Sequence, residues 1–275
     1  MRKIIVDFDN TFTIEGRDID DLIAFLYLYE KEDIEIPFVT TTFGNSNQDE
    51  IYNSTLQCFK DLGIDIPVYR GASQNDNCKI AAENIRDYIK DNPGEVEILA
   101  LGALRNFKIL VDIDPGIENS VKSFTAMGGI SSPLFFGGKK MDELNFSIDC
   151  KSAYKVINKF KIPNIITGNN CIDNVCSYDI ISKLKFSKYP ILKSPIKRWL
   201  DFFSDKYEFS GVVLWDLIAA LYLYRPDLFE DHIDRYDISE ENLKGGYLKA
   251  DSSGKKLNLP SPKKGIDYLK ALDFL

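Results

Sequence analysis

The chain has 275 residues, of which 44% are hydrophobic and 28% are charged. This composition describes a folded protein with a sizeable core, and no linker-like stretch divides it, so we expect one domain over residues 1–275. The formal net charge of -8 argues against a nucleic-acid partner. The first apolar run is too short for a signal peptide or a membrane span, which predicts a cytoplasmic protein with no membrane partner.

The cysteines and the histidine narrow the chemistry further. Five cysteines are spread out without a Cys-x-x-Cys spacing, so we expect reduced thiols that mostly pack. The sole histidine, His232, lies in a charged stretch and is expected to face solvent. With a single histidine, neither a Ser-His-Asp triad nor a His-rich zinc site is expected.

The first half of the chain alternates between apolar, β-branched runs and amphipathic stretches. This alternation predicts strands and helices in turn. The predicted strands cover 4–6, 34–42, 66–69, 96–101 and 123–127, and the predicted helices cover 22–29, 47–62 and 79–90. Most of these strands run into a polar or glycine-containing loop.

The second half is less regular. It predicts a mobile loop over 135–141, helical stretches over 148–160, 171–184 and 190–207, a strand over 162–167, a hairpin within 245–259 and a last helix over 266–275. Repeated β-loop-α units imply an α/β fold with a mostly parallel β-sheet flanked by helices, open and Rossmann-like. Ligands of such sheets bind at the carboxyl ends of the strands.

The most informative stretch is acidic and lies at the first strand-to-helix junction. Asp7 and Asp9 follow an apolar strand, and three further acids, Asp18, Asp20 and Asp21, precede an apolar helix. Ionised carboxylates this close repel one another, and a hard divalent cation with oxygen ligands relieves the repulsion. The alternative for the last three is capping, because negative charge is favourable at a helix N-terminus. Capping explains the first two poorly.

An echo of the first predicted helix occurs near the other end of the chain. DLIAFLYLY begins at Asp21, and DLIAALYLY begins at Asp216. Shared helix preferences can produce such a match by chance. The alternative is that two helices each offer an aspartate in the first turn to one site.

Taken in order, the motifs resemble the inosine-uridine-preferring nucleoside hydrolases. The resemblance runs through nearly the whole chain, and the order of the pieces carries it more than any single piece. The pieces are DFD at 7–9, DDLIA at 20–24, TTTFGN at 40–45, IPVYRG at 66–71, NPGEV at 92–96, LALGALRN at 99–106, MGG at 127–129, ELN at 143–145 and the late Asp216.

This resemblance implies calcium-dependent hydrolysis of the N-glycosidic bond of ribonucleosides to free base and ribose. The implied ligands of a single Ca²⁺ are Asp9, Asp21, Asp216 and the backbone carbonyl of Leu101. The ion would chelate the ribose 2′- and 3′-hydroxyls. Asp9 would also take the proton of a water on that ion as the water attacks C1′, with Asp7 in a supporting contact.

The resemblance also assigns residues to the substrate. Asn45, Glu143 and Asn145 would bind the ribose hydroxyls. Met127 would pack near the sugar, and Asp20 would make a supporting contact to the substrate. Members of the family are commonly dimers or tetramers, so a homodimer or homotetramer that serves purine or pyrimidine salvage is implied.

Two departures from the family pattern bear on the mechanism. The loop over 10–19 is longer than the family's tight turn and forms a possible pocket wall. The histidine that precedes the late aspartate in many members is replaced by Trp215, and the family's other histidine loop has no match near 75–78. Protonation of the leaving base by histidine is therefore excluded at both places. Trp215 either stacks on the base, which is our hypothesis, or packs at a helix start.

The sequence is also compatible with two other functions. DFDNT at 7–11 resembles the start of haloacid-dehalogenase-type phosphatases, in which Asp7 is the nucleophile, Asp9 the acid and Mg²⁺ the partner. The later elements of that family have no obvious match. The missing histidines motivate the second alternative, a weakly active or inactive ribonucleoside-binding homologue.

Overall fold

The computed structural model describes residues 1–275. It has sixteen strands and eleven α-helices in addition to three short 3₁₀ turns. The strands are β1 Arg2–Phe8, β2 Ile34–Glu35, β3 Val39–Thr41, β4 Val68–Arg70, β5 Val96–Ala100, β6 Ser123–Met127, β7 Leu134–Phe136, β8 Lys139–Met141, β9 Asn164–Ile166, β10 Val175–Cys176, β11 Val212–Val213, β12 Phe229–Glu230, β13 Ile233–Asp237, β14 Lys249–Ala250, β15 Lys255–Asn258 and β16 Ser261–Pro262.

The helices alternate with these strands through most of the chain. They are α1 Asp20–Tyr29, α2 Gln48–Leu62, α3 Ile80–Asp91, α4 Arg105–Ile113, α5 Cys150–Lys159, α6 Gly168–Cys171, α7 Tyr178–Lys183, α8 Lys193–Tyr207, α9 Trp215–Tyr224, α10 Glu240–Leu243 and α11 Tyr268–Ala271. No helix is both long and apolar enough to cross a membrane.

The main sheet has the strand order β14-β13-β15-β9-β6-β5-β1-β3-β4, with β2 also paired to β1. All pairings from β4 through to β15 are parallel, and only β13 runs antiparallel to its neighbours β14 and β15. The expected α/β fold with a mostly parallel sheet is therefore confirmed. Strand β1 is an interior strand between β5 and β3, and its run of Ile and Val residues is buried on both faces.

Side chains of β1 alternate between two hydrophobic cores. Ile4, Val6 and Phe8 pack in one core with α1, α2, α8 and α9, whereas Ile5 packs in the other with α3, α4 and α5. Helices thus cover both faces of the sheet. The carboxyl ends of the parallel strands remain free for loops that carry polar residues.

The two helices that share the echoed sequence, α1 and α9, pack side by side in the same direction. The backbone N–H of Asp216 donates to Asp20 Oδ2 at 3.1 Å at their N-terminal ends. The rings of Tyr27 and Tyr224 meet edge to face at 6.0 Å near their C-terminal ends. The echo therefore reflects two buried helices that begin at one place in the fold.

Several predicted elements in the first half are confirmed with small shifts, and one strand is split. Strand β6 occupies the predicted range, and α2 begins one residue later because Asn47 caps it by accepting the N–H of Glu50 at 3.1 Å. The strand predicted over 34–42 is broken into β2 and β3 at Pro37, which cannot donate a ladder hydrogen bond.

The predicted mobile loop over 135–141 is wrong. This segment forms the β7–β8 hairpin, in which Gly137 and Gly138 have φ values of 56° and 78°. Two successive residues with positive φ make the tight turn that matches the twist of paired strands. Phe136 is buried between α8 residues Phe203 and Tyr207, so the hairpin is packed rather than free.

Three predictions in the C-terminal half also need correction. The helix predicted over 171–184 is interrupted by β10, because Ser177 caps a separate helix α7 by accepting the N–H of Ile180 at 3.4 Å. The hairpin predicted within 245–259 does not form, since β14 and β15 pair with opposite edges of β13. The last helix is only α11, the range Tyr268–Ala271.

The cysteines and the histidine lie as predicted. All five cysteines are free thiols, and three of them are buried. His232 is exposed, and its Nε2 lies 2.8 Å from Ser261 Oγ. Neither residue type contributes a side chain to the cleft described next.

Candidate active site

A cleft opens at the carboxyl ends of β3, β5 and β6. Loops after β3, β5 and β6 and the N-terminal ends of α1 and α9 form its walls. The residues that the sequence predicted and that line it are Asp20, Asn45, Leu101, Met127, Glu143, Asn145, Trp215 and Asp216. The remaining predicted residues, Asp7, Asp9 and Asp21, are buried and do not line it.

Three carboxylates converge beside this cleft. Asp20, Asp21 and Asp216 each bring an oxygen within 4.8 Å of the others, and all three residues are buried. Asp21 Oδ1 accepts the backbone N–H of Asp9 at 3.2 Å. Asp21 Oδ2 is buried and has no hydrogen-bond partner. A buried, unpartnered carboxylate oxygen is costly, and a cation is the partner that would satisfy it.

Burial and mutual repulsion oppose ionisation of this triplet. Burial, followed by the charges of Asp9 and Asp20, raises the pKa of Asp21 well above its ordinary value. Burial, followed by the charges of Asp20 and Asp21, does the same to the pKa of Asp216. A bound cation would reverse this balance because it stabilises ionised ligands.

Asp9 is held immediately behind the cleft. Its Oδ2 accepts the backbone N–H of Asn45 at 2.5 Å, and its Oδ1 lies 3.4 Å from Nδ2 of the same residue. A Cβ at Gly44 would lie 2.0 Å from Asp9 Oδ2, and one at Gly102 would lie 3.1 Å from Asp9 Cγ. Both glycines therefore allow the backbone to approach the carboxylate, which a side chain at either position would prevent.

Asp7 anchors the neighbouring strand ends. Its Oδ1 accepts hydrogen bonds from Thr40 Oγ1 at 2.5 Å and from Asn106 Nδ2 at 2.7 Å, and its backbone carbonyl accepts the N–H of Leu101. Its Oδ2 is buried without a partner. These contacts join β1 to β3 and to the loop that follows β5.

The loop after β8 brings a carboxylate and an amide to the cleft. Asn145 Nδ2 donates to the backbone carbonyls of Leu101 at 2.9 Å and Met127 at 3.0 Å. Glu143 accepts the backbone N–H groups of Gly129 at 3.1 Å, Phe146 at 2.8 Å and Ser147 at 2.8 Å. Both side chains are thus fixed by the backbone around them while they face the cleft.

The structure groups the acids differently from the ligand set that the resemblance implies. The close triplet contains Asp20, which the resemblance assigns to the substrate, together with Asp21 and Asp216. Asp9 lies outside the triplet, but its N–H donates to Asp21 Oδ1 and its carboxyl group is a direct neighbour of the Asp21 carboxyl group. The Leu101 carbonyl lines the same cleft and already accepts an amide N–H.

Sequence reasoning missed Asp18 as a cleft residue. Asp18 lines the cleft. It does not cap α1, because the N-cap residue is Ile19 and no side chain makes a capping hydrogen bond there. Its Oδ1 accepts the indole N–H of Trp199 at 3.2 Å, so a residue of α8 holds it in place. The length of the loop over 10–19 was the available signal, since a longer loop there can place an extra residue beside the cleft.

The sequence of this chain matches a known enzyme family. The family model described as "Inosine-uridine preferring nucleoside hydrolase" matches residues 4–269. The chain belongs to this family. A nucleoside hydrolase of this family breaks N-glycosidic bonds, so the protein is by family an N-glycosyl hydrolase, and the haloacid-dehalogenase alternative is not favoured. The family is metal-dependent, and the buried aspartate triplet is a candidate metal site.

Curated relatives of this nucleoside hydrolase span most of the chain. It is 26% identical to "Uridine nucleosidase 1" of Arabidopsis thaliana, over 94% of this chain and 85% of that protein. It is 24% identical to "Pyrimidine-specific ribonucleoside hydrolase RihB" of Escherichia coli (strain SE11), over 82% of this chain and 79% of that protein.

Solved structures share the fold of this nucleoside hydrolase. A plant nucleoside hydrolase, the PpNRh1 enzyme, aligns with a TM-score of 0.81 at 16% identity, covering 99% of this chain and 96% of that one. A purine-preferring ribonucleoside hydrolase from Gardnerella vaginalis aligns with a TM-score of 0.80 at 17% identity, covering 98% and 96%.

Proposed function

We propose that the protein is a calcium-dependent ribonucleoside hydrolase that releases free base and ribose. The observation that carries the proposal is the buried triplet of Asp20, Asp21 and Asp216 beside the cleft that Glu143 and Asn145 also line. Carboxylates together with fixed polar groups in one cleft suit a ligand with several hydroxyls, such as ribose.

The residues present fit a hard cation. The triplet offers only carboxylate oxygens, which Ca²⁺ and Mg²⁺ prefer, and the unpartnered Oδ2 of Asp21 is the group most in need of one. Asp21 and Asp216 would hold the ion, with Asp9 and the Leu101 carbonyl as further ligands by resemblance. When bound, Ca²⁺ would grip the ribose 2′- and 3′-hydroxyls and position the attacking water.

Asp9 is our candidate for the catalytic base. The backbone N–H of Asn45 holds its Oδ2, whereas the only hydrogen bond to Oδ1 is the long one from the Asn45 amide. The carboxyl group also neighbours that of Asp21. Oδ1 would take a proton from water as the water oxygen bonds to C1′ of the sugar. The bond from C1′ to the base nitrogen breaks, and its electron pair leaves with the base.

The other cleft residues would stabilise and orient the sugar. Cleavage passes through an oxocarbenium-like ribose, so the carboxylates around it would stabilise developing positive charge. Asn45, Glu143 and Asn145 would contact the ribose hydroxyls, and Met127 would pack against the sugar. Because backbone hydrogen bonds already fix Glu143 and Asn145, these two would need little reorganisation when ribose binds.

The leaving base would be held by Trp215 rather than by histidine. Trp215 opens α9, is 9% exposed and lines the cleft next to Asp216. A large aromatic side chain at this position can stack on a planar base. We also propose that the chain works as a homodimer or homotetramer in the cytoplasm and serves nucleoside salvage.

A turnover assay tests this function. The protein is incubated with a panel of purine and pyrimidine ribonucleosides in Ca²⁺ or in EDTA, and free ribose is measured. Uridine comes first in the panel because curated relatives are named for uridine and pyrimidine ribonucleosides. We expect ribose in Ca²⁺ and none in EDTA. Nucleoside binding without any ribose would instead favour an inactive binding homologue.

A further inference from the structure

The lengthened loop over 10–19 is built into the fold at both sides. Asn10 Nδ2 donates to Thr55 Oγ1 at 3.3 Å, and the N–H of Thr13 donates to Ser54 Oγ at 3.2 Å, so α2 holds the start of the loop. Thr11 Oγ1 donates to the carbonyl of Asp18 at 2.6 Å and closes the loop on itself. The loop therefore presents its last residues in a defined position.

Helix α8 fixes the end of this loop that faces the cleft. The indole N–H of Trp199 donates to Asp18 Oδ1 at 3.2 Å, and Trp199 itself is 4% exposed. The other oxygen, Asp18 Oδ2, accepts no hydrogen bond from the protein and is not closed off from solvent, since it is not among the buried unpartnered atoms. Asp18 is thus an oriented carboxyl group with one free oxygen at the cleft.

The position of Asp18 relative to Trp215 indicates which part of a nucleoside it would meet. The 3.1 Å bond between Asp20 and the N–H of Asp216 ties together the starts of α1 and α9. Asp18 lies two residues before Asp20 in the chain, and Trp215 lies one residue before Asp216. Both line the cleft, and so do Glu143 and Asn145, which come from another loop.

We propose that Asp18 is a specificity residue whose Oδ2 accepts a hydrogen bond from an N–H of the nucleobase, and that Trp199 is its positioning residue. This inference rests on the proposed function, since it places ribose at the triplet and the base beside Trp215. Uracil and hypoxanthine each carry a ring N–H suited to such an acceptor. The indole bond restricts Asp18 to one orientation, which makes the free oxygen selective rather than adaptable.

The test compares substrates with and without that N–H. The wild-type protein is assayed with uridine and 3-methyluridine, and with inosine and 1-methylinosine. Asp18→Ala and Asp18→Leu are assayed in the same way, because leucine refills the space but accepts no hydrogen bond. We expect N-methylation to lower wild-type kcat/KM by about 10- to 100-fold, which is the range for a hydrogen bond to a charged group. In both variants we expect N-methylation to lower kcat/KM by less than about threefold.

Trp199→Phe tests the positioning role without altering Asp18. It keeps an aromatic ring in the core but removes the indole N–H. We expect KM for uridine to rise about fivefold with kcat nearly unchanged, and the penalty for N-methylation to shrink. Glu15→Gln is the matched control, because Glu15 is an exposed carboxylate of the same loop that does not line the cleft. Its kinetics should equal those of the wild type.

Two results would overturn the inference. One is an N-methylation penalty of equal size in the wild type and both Asp18 variants. The other is a wild-type kcat/KM that is lower for 5′-deoxyuridine than for uridine, with the difference disappearing in Asp18→Ala. That result would place the sugar 5′-hydroxyl, rather than the base, at Asp18. The same comparisons are made by calorimetric binding, so a protein that binds nucleosides without releasing ribose contradicts the proposed function and still decides the role of Asp18.

Discussion

Asp20 Oδ2 accepts the backbone N–H of Asp216 at 3.1 Å, which joins two residues that lie 196 positions apart. The bond holds the N-terminal ends of α1 and α9 together, and Asp21 follows directly on α1. As a result, three carboxylates meet at a point where both helices present N–H groups, which favour negative charge. The echoed sequence near the two ends of the chain is thereby explained by one shared site.

Asp21→Asn should separate metal binding from folding. Asparagine keeps the Oδ1 that accepts the Asp9 N–H and removes the charge of a group whose Oδ2 has no partner. We therefore expect the melting temperature without metal to stay the same or rise, because a neutral amide replaces a buried acid whose ionisation its neighbours oppose. The rise in melting temperature that Ca²⁺ causes in the wild type should disappear.

Thermal unfolding with Ca²⁺ and with EDTA measures this effect. Asp234→Asn is the control, since Asp234 is exposed and does not line the cleft. A full Ca²⁺ response in Asp21→Asn would contradict a role for Asp21 as a ligand.

Asp9→Asn should remove the catalytic base while it leaves the fold intact. The side chain is nearly isosteric, and its oxygen can still accept the N–H of Asn45. A positioned base contributes about 100- to 10,000-fold to rate, so we expect kcat to fall by that range with a much smaller change in KM. Ribose release under steady-state conditions gives both constants, and wild-type circular dichroism confirms folding. Unchanged kcat would show that another group takes the proton.

Gly44→Ala should disturb Asp9 without touching its chemistry. The added Cβ would lie 2.0 Å from Asp9 Oδ2, so the carboxylate or the loop must move. A displacement of about 1 Å at a catalytic group can cost about 100-fold in rate, and we expect a loss of that order in kcat/KM. Gly265→Ala is the matched control because its Cβ would meet nothing within 4 Å. Equal activity in both variants would mean that the close approach at Gly44 is not needed.

Trp215→Ala tests base stacking. We expect kcat/KM to fall by about tenfold for ribonucleosides with large bases, and the ranking of bases to change. Trp215→Phe should keep most of the activity because it retains an aromatic face. If Trp215→Ala leaves both the rate and the choice of base unchanged, Trp215 serves only to pack at the start of α9.

A buried ion pair should make stability depend on pH. Glu97 accepts Arg2 Nε at 2.9 Å and Nη2 at 2.8 Å, and Lys122 Nζ lies 3.1 Å away. Burial favours the neutral acid, but the hydrogen bonds and charges of Arg2 and Lys122 outweigh it and lower the pKa of Glu97. A lowered pKa in the folded state contributes stability above the ordinary value of 4.5, and this contribution is lost as the pH falls through the folded value.

Glu97→Gln should therefore lower the free energy of unfolding by about 1–3 kcal/mol at pH 7, and by less as the pH falls below about 4.5. Urea denaturation across this range measures the difference. Glu95→Gln is the control, since its pair with Lys3 lies at the surface and should contribute little at any pH. A difference that stays constant with pH would mean that ionisation of Glu97 does not contribute to stability.

Local patterns in the sequence determined much of the secondary structure of this protein. The βα alternation, the first apolar strand, the polar strand ends and the acidic junction are all readable from sequence, because hydrophobic periodicity and turn residues act over a few positions. The order of the motifs sufficed to identify the family. Local pattern failed where distant parts of the chain decide the structure. The strands β14 and β15 pair with opposite edges of β13, and packing of Phe136 against α8 holds the hairpin of β7 and β8 in place.

Only the tertiary structure decided which acidic residues form the buried triplet. Sequence could place Asp9 and Asp20 near one another, but which three carboxylates meet depends on the parallel packing of α1 and α9, which brings Asp216 to Asp20. Likewise, Asp18 resembles a helix cap in sequence, and the indole of Trp199, 181 residues away, turns it instead toward the cleft. Sequence determines which groups are available, whereas long-range packing determines which of them face each other.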